Sequence, residues 1–225
     1  MPTEIPLSDG TTLQAELFLP EAPGPAGAVL VVPSIFGSDR GTLTFARRIA
    51  EAGHPVLVPT LFQRTDPGPA GFDPDGVSRA RARMRTYDRE QGLSDLTAAA
   101  AFLRARPEVN GIVAHGICFG GHLAAILGQR GVVDSVHTVH GSGIERVAPK
   151  APLPCPLTFH TGSADSTIPP EAIEAISAAW PHAEITMHDG AHHGFAHPGS
   201  PAFVSFAYEA SVQTLLRDAG RLTDG

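Results

Sequence analysis

The chain has 225 residues, of which 42% are hydrophobic and 17% charged, with a formal net charge of −7. That apolar share is ample for a packed core and excludes a disordered polypeptide, and the length suits one α/β domain over residues 1–225. Sixteen basic residues against 23 acidic ones leave no basic footprint, so nucleic acid is not an expected partner. Met1 to Pro6 lacks the basic patch and apolar run of a secretory signal, and no apolar stretch approaches the ~20 residues of a membrane span. The expectation is a cytoplasmic protein, monomer or homodimer, with no membrane partner. There the two cysteines, Cys118 and Cys155, should stay reduced, Cys155 as a small buried apolar residue and not in a disulfide with Cys118.

Strand and helix patterns alternate along the chain. Ile5 to Leu7 and Thr12 to Leu19 flank Ser8-Asp9-Gly10-Thr11, and Asp-Gly between alternating residues predicts a hairpin. Ala28 to Val32 is a continuous apolar run, as in a strand buried on both faces. Leu43 to Ala52 reads as a helix ending at Gly53, and Val56 to Val58 as the next strand. Gln63 to Ser78, with Asp66-Pro67-Gly68-Pro69 and Asp73-Pro74-Asp75-Gly76, reads as a long irregular segment, either a substrate lid or a solvated surface loop. Arg79 to Arg106 is helical in composition, with a break near Gly92 and Ser94 as a cap for Leu93 to Leu103. Its arginines 79, 81, 83 and 85 alternate and so cannot share one face; most should be solvated, while one is free to reach the site and hold an acidic group. Ile112 to Ala114, Val132 to Val139, Leu157 to Thr161 and Glu184 to His188 supply further strands, and His122 to Gln129, Pro170 to Trp180 and Ala202 to Ala219 further helices. Repeated alternation predicts an α/β fold with a mostly parallel sheet, helices on both faces and an antiparallel N-terminal edge.

The chemistry concentrates in Gly116-Ile117-Cys118-Phe119-Gly120-Gly121, between the strand ending at Ala114 and the helix from His122. A strand, a sharp turn between small residues and a helix form a nucleophile elbow, here with cysteine where serine is usual. A thiolate is a strong nucleophile and needs less help from a base than a hydroxyl does. An acid and a histidine should follow in that order. Asp165 lies in turn residues after the strand at Thr161, and His193 follows the strand at Glu184 to His188. The carboxyl ends of parallel strands are where open α/β sheets bind ligands. His192 is the alternative base, and Asp165 has a competing reading as a turn or cap residue.

The histidines at 188, 192, 193 and 197 have metal-like spacing only on a helix, and Gly190, Gly194 and Pro198 disfavour one. No metal and no cofactor are expected. The glycines around Cys118 also lack the Lys-Ser/Thr ending of a P-loop and the spacing of a dinucleotide motif.

Together, the Gly-x-Cys-x-Gly-Gly elbow, the turn with Gly162, Asp165 and Pro169, the His193-Gly194-Phe195 motif and the Pro33-Ser34-Ile35-Phe36-Gly37 loop resemble the dienelactone hydrolase family of the α/β-hydrolase superfamily, over about Thr3 to Ala219. The resemblance implies an α/β-hydrolase fold, a catalytic triad of Cys118, Asp165 and His193, and an oxyanion hole from the backbone N–H groups of Ile35 and Phe119. It also places Ser34, Phe36 and His197 against substrate. Two positions depart from the family. A glutamate that meets the resting thiol is Ser34 here, and an arginine that grips a substrate carboxylate is His197.

Those losses make a neutral ester, lactone or thioester as suitable as an anionic dienelactone. The implied reaction is hydrolysis of a small carboxylic ester or lactone through a thioester acyl-enzyme. Acyl transfer to another acceptor, thioesterase activity, or thiol-based redox or ligand sensing without turnover are the alternatives.

Overall fold

The computed structural model describes residues 1–22, 24 and 26–222. In chain order the strands are β1 (Pro2–Pro6), β2 (Thr12–Phe18), β3 (Ala26–Val32), β4 (Val56–Pro59), β5 (Val109–Ile117), β6 (Ser135–Val139), β7 (Leu157–Gly162) and β8 (Glu184–His188). The α-helices are α1 (Arg40–Glu51), α2 (Pro74–Arg85), α3 (Arg89–Arg104), α4 (Phe119–Gln129), α5 (Pro170–Ala179) and α6 (Ser205–Gly220). All eight strands join one sheet in the order β1-β2-β4-β3-β5-β6-β7-β8. β1 and β2 pair antiparallel, β2 pairs antiparallel with β4, and every remaining pair is parallel.

The hairpin turns where Asp9-Gly10 predicts it. Gly10 takes a left-handed φ of 81°, and Asp9 accepts hydrogen bonds from the Thr11 amide and hydroxyl at 3.0 and 2.6 Å. β3 is buried at all seven positions, and its pleat divides the core. Ala28, Leu30 and Val32 face one side with Leu93 and Leu96 of α3, Leu123 of α4 and Ile176 of α5. Val29 and Val31 face the other with Phe45 and Ile49 of α1 and Val212 and Leu215 of α6. Helices therefore cover both faces.

Several boundaries differ from the sequence reading: β5 runs Val109–Ile117 rather than Ile112 to Ala114, α4 starts at Phe119 rather than His122, and three further differences have a visible cause. Asp73-Pro74 is not loop: Asp73 caps α2 through a 3.0 Å bond from the Gly76 N–H, and Pro74 occupies the first turn, where a missing N–H is harmless. The irregular segment therefore ends at Asp73 rather than Ser78. The break between α2 and α3 lies at residues 86–88, not at Gly92, and the cap is Asp88, which accepts from the Gln91 N–H, rather than Ser94. Gly92 lies inside α3, and only glycine fits there because a Cβ would lie 1.8 Å from the Tyr87 hydroxyl oxygen. The third difference is β6, which begins at Ser135 instead of Val132. The Asp134 carboxylate takes the Ile112 N–H at 2.8 Å and Arg104 at 2.8 Å, so the preceding residues form a turn.

One buried seam is polar. His115 and His137 meet through their Nδ1 atoms at 3.0 Å, the Nε2 atoms of His137 and His160 meet Thr214 Oγ1 at 3.1 and 2.7 Å, and His160 Nδ1 meets His188 Nε2 at 2.9 Å. These rings step across β5 to β8 beneath α6. Burial lowers the pKa of each, to about 3 for His115 and about 4 for His160. Among the described residues no helix is long and apolar enough to cross a membrane.

Candidate active site

Cys118 sits between the end of β5 and the start of α4, with φ 54° and ψ −116°. A left-handed φ is strained for a residue with a Cβ. Packing around the turn holds it there. A Cβ at Gly116 would lie 2.5 Å from Gly121 Cα, one at Gly120 2.0 Å from the Val32 carbonyl oxygen, and one at Gly121 2.6 Å from Gly141 Cα. Strand, helix and neighbouring loops thus approach as only glycine permits. The backbone of Cys118 is also pinned, its N–H donating to the Val139 carbonyl at 3.1 Å and its carbonyl accepting from Ser142 at 3.1 Å.

The sulfur is half-buried and meets His193 Nε2 at 3.1 Å. The far side of that ring, Nδ1, lies 2.8 Å from Asp165 Oδ2. The Asp165 side chain is fully buried, and its other oxygen accepts the Thr167 N–H at 2.9 Å. Two contacts fix the loops that present these groups. Gly162, at the end of β7, lets Ala191 approach so closely that a Cβ would be 2.0 Å from its carbonyl oxygen. The Ala164 N–H donates to that same oxygen at 3.1 Å. Phe195, fully buried, anchors the chain just past His193.

Burial by itself would depress the His193 pKa, but hydrogen bonds to Asp165 and Cys118 and their charges outweigh it and raise it from 6.5 to about 10. A ring protonated at neutral pH stabilises negative charge on the adjacent sulfur. Cys155, in contrast, is buried in the core, where burial pushes its thiol up to about 11; both cysteines are free.

The loop after β3 closes against the elbow, since Gly120 has no room for a Cβ beside the carbonyls of Val32 and Pro33. Ile35, Phe36, Cys118 and Phe119 are all half-buried and share this rim. Among the described residues, neither the Ile35 N–H nor the Phe119 N–H donates to another protein group. Ser34 is buried, with Oγ accepting the Phe36 N–H at 3.1 Å. Phe36 stacks on Phe72 with centroids 4.3 Å apart, and its carbonyl accepts the Ala70 N–H at 2.9 Å. The segment before α2 is thereby held to the rim.

His197 is buried behind these rings, edge-on to Phe72 and Phe36 at 5.1 and 6.2 Å, and its Nε2 lies 2.9 Å from Asp39 Oδ2 at the start of α1. That carboxylate occupies the ring nitrogen nearest it. His192 is exposed and turned to the Ala164 carbonyl, 3.0 Å from its Nδ1. His188, His192, His193 and His197 therefore engage separate partners and share none. A surface hollow lined by Leu7, Glu90, Ser94 and Arg130 lies away from these residues.

A profile of the dienelactone hydrolase family matches residues 13–217. The chain belongs to that family. It is 35% identical over 202 residues to a carboxymethylenebutenolidase of Pseudomonas sp. strain P51, covering 86% of this chain and 84% of the relative. It is also 30% identical over 206 residues to the carboxymethylenebutenolidase of Pseudomonas putida, covering 88% and 87%. Among solved structures, it superposes on a putative dienelactone hydrolase from Klebsiella pneumoniae with a TM-score of 0.83 at 21% identity, covering 96% of both chains. The fold is that of the α/β-hydrolases.

Two residues around the family's elbow were not singled out in the sequence. Arg83 is the one arginine of its alternating run that turns inward. It holds no acid: Nε and Nη2 donate to the Ile35 carbonyl at 2.8 and 2.6 Å and Nη1 to the Gly68 carbonyl at 2.7 Å, while the guanidinium lies 4.4 Å over the Phe62 ring. Gly37, at φ 75°, leaves it space, since a Cβ there would be 3.0 Å from Nη2.

His140, just past β6, is buried with φ 38°, and neither ring nitrogen has a protein partner. Each unpartnered buried polar group costs about 1–3 kcal/mol. A histidine at the carboxyl end of a parallel strand beside the elbow was the available signal for it.

Proposed function

We propose that this chain hydrolyses a small carboxylic ester or lactone by covalent catalysis, with Cys118 as nucleophile, His193 as base and acid, and Asp165 as the group that orients His193. The observation that carries the reading is the hydrogen-bonded row from Sγ through His193 to Asp165, at 3.1 and 2.8 Å, headed by a strained elbow residue. The relatives' name, carboxymethylenebutenolidase, denotes cleavage of a lactone and agrees with it.

In this reading the sulfur adds to the substrate carbonyl, forming a C–S bond while the carbonyl π electrons move to oxygen. The unpaired N–H groups of Ile35 and Phe119 receive that oxyanion, a contribution of roughly 3–4 kcal/mol for one such donor. Protonated His193 gives its proton to the departing alkoxide. The neutral ring then takes a proton from water, which attacks the thioester and frees Cys118. In a lactone the C–O bond opens but the resulting alcohol stays tethered to the acyl group until that second step.

Arg83 acts as a positioning residue, since its fork on the Ile35 carbonyl fixes the loop that offers the Ile35 N–H. Phe36 lies on the substrate rim, with buried Ser34 beneath it holding the Phe36 N–H and His197 supporting it through contacts to Phe36 and Phe72. No carboxylate stands at position 34 to meet the resting thiol, and the His197 ring is engaged by Asp39. A neutral acyl group therefore fits this rim at least as well as an anionic one. Acetate esters and a dienelactone, compared by kcat/KM in wild type and Ser34→Glu, test this. The neutral ester should lead in wild type, and Ser34→Glu should change the ratio. Failure of both substrates to turn over would overturn the hydrolase reading, whereas an unchanged ratio would overturn only the role of position 34.

A further inference from the structure

We propose that Cys118, His193 and His140 form a binding site for a thiophilic divalent cation such as Zn²⁺, and that occupancy reversibly shuts off the enzyme. Among the described residues these three bring one ligating atom each to within 4.8 Å of one another. The Sγ to Nε2 separation within the group is 3.1 Å. A zinc ion with bonds of about 2.3 Å to sulfur and about 2.0 Å to imidazole nitrogen needs its ligands roughly 3.3–3.6 Å apart. Small shifts of the three side chains meet that requirement.

The second, independent observation is His140 itself. Ester hydrolysis as derived above gives it no task, the ring is 1% exposed, and both nitrogens lack a protein partner. It stands edge-on to His193 with centroids 4.9 Å apart. The set is also completed from outside. Asp165 sits on Nδ1 of His193, so metal on Nε2 would have the carboxylate–histidine–metal arrangement that fixes tautomer and ring orientation in zinc sites. One thiolate and two imidazoles leave the fourth tetrahedral position open on the solvent side, where Cys118 and His193 are partly exposed and admit the ion. Sulfur with nitrogen selects zinc or cadmium over magnesium or calcium.

Binding is an exchange. The cation displaces the proton shared by the Cys118–His193 pair, forming one metal–sulfur and two metal–nitrogen bonds and releasing about one proton for each ion, with no change of oxidation state. Coordination draws electron density from the sulfur and occupies the His193 Nε2 that would move the proton, so the inhibitory consequence rests on Cys118 being the nucleophile. The binding itself does not.

The experiment uses the whole chain in a non-chelating buffer. Co²⁺ is added as a spectroscopic probe and Zn²⁺ as inhibitor, with wild type compared to Cys118→Ala, His140→Phe and His140→Asn. Wild type should bind one Co²⁺ with a thiolate-to-cobalt charge-transfer band in the near ultraviolet, and Cys118→Ala should lack the band. Zn²⁺ should abolish turnover of p-nitrophenyl acetate, chelation should restore it, and Mg²⁺ should have no effect. Binding should release about one proton for each ion taken up.

Loss of the His140 ligand should weaken binding by at least the roughly 10–100-fold typical of losing an outer-shell partner, read against each variant's own metal-free rate. Two His140 variants, each checked by circular dichroism, separate ligand loss from misfolding. If neither folds, the wild-type cobalt spectrum and proton release decide. Absence of the band, or unchanged zinc affinity in a folded His140 variant, would overturn the proposal. A cobalt band in a protein with no esterase activity would leave the metal site standing and overturn the proposed function instead.

Discussion

The protonation of His193 gives the sharpest physical prediction. Its pKa of about 10 against the ordinary 6.5 amounts to roughly 5 kcal/mol of preference for the charged ring, at about 1.4 kcal/mol per pH unit. Burial opposes that preference, so it depends on the two hydrogen-bonded neighbours, Asp165 and Cys118. Cys118→Ala removes one of them and leaves the burial. The ring should then titrate well below its wild-type value, and Asp165→Asn should act in the same direction. Nitrogen-detected NMR with histidine labelled on the ring reads this directly. In wild type both nitrogens should stay protonated at pH 7 and titrate near 10. The sign also reaches stability. A pKa raised on folding contributes stability that is full below pH 6.5 and fades as pH rises towards 10, so chemical denaturation above pH 7 should show a shallower loss in Cys118→Ala than in wild type. A wild-type ring already neutral at pH 7, or one indifferent to Cys118→Ala, would refute the reasoning.

Other changes probe other parts of the structure. Gly120→Ala would drive a Cβ against the Val32 carbonyl at 2.0 Å, so α4 must move off β3; thermal melts should show destabilisation of at least about 2–3 kcal/mol, and a normal melting temperature with full activity would contradict the packing argument. Arg83→Lys keeps the charge but loses the fork on the Ile35 carbonyl. It should lower kcat roughly 10–100-fold with little change in KM, less than deletion of a whole oxyanion donor, and an unchanged kcat in steady-state assays would remove Arg83 from the account. The histidine seam predicts acid sensitivity. Its rings have pKa values below 6.5 in the fold, so their stability is complete above pH 6.5 and is lost as pH falls towards 4, at up to about 1.4 kcal/mol per pH unit for each ring. The urea midpoint should drop steeply between pH 6.5 and 5, and a flat profile there would count against a neutral seam.

Much of this architecture was legible in the residues. β3 was readable because Ala28 to Val32 has no polar position, and the elbow because glycines bracket a cysteine between a strand and a helix. Asp165 and His193 were found by chain order, each following a strand pattern, and their loops do come together through Gly162 and Ala191. What stayed hidden was decided by contacts between distant segments. Gly92 looked like a helix break, but it lies inside α3, where Tyr87 leaves no room for a Cβ. Asp73-Pro74 looked like loop because the two residues favour turns as strongly as helix starts. Nothing local distinguishes Arg83 from Arg81 or Arg85; only the carbonyls of Ile35 and Gly68 select it. For His140 the position after a strand pattern was a weak signal by itself, since its meaning comes from Cys118 and His193 across the elbow.

The covalent step is tested most directly by rapid acid quench of wild type with p-nitrophenyl acetate, followed by intact mass and peptide mapping. The account predicts one acetyl group, on Cys118, which is absent in Cys118→Ala and persists in His193→Ala only to the extent that deacylation is slowed more than acylation. Turnover by Cys118→Ala at the wild-type rate, or an acetyl group mapped to any other residue, would contradict it.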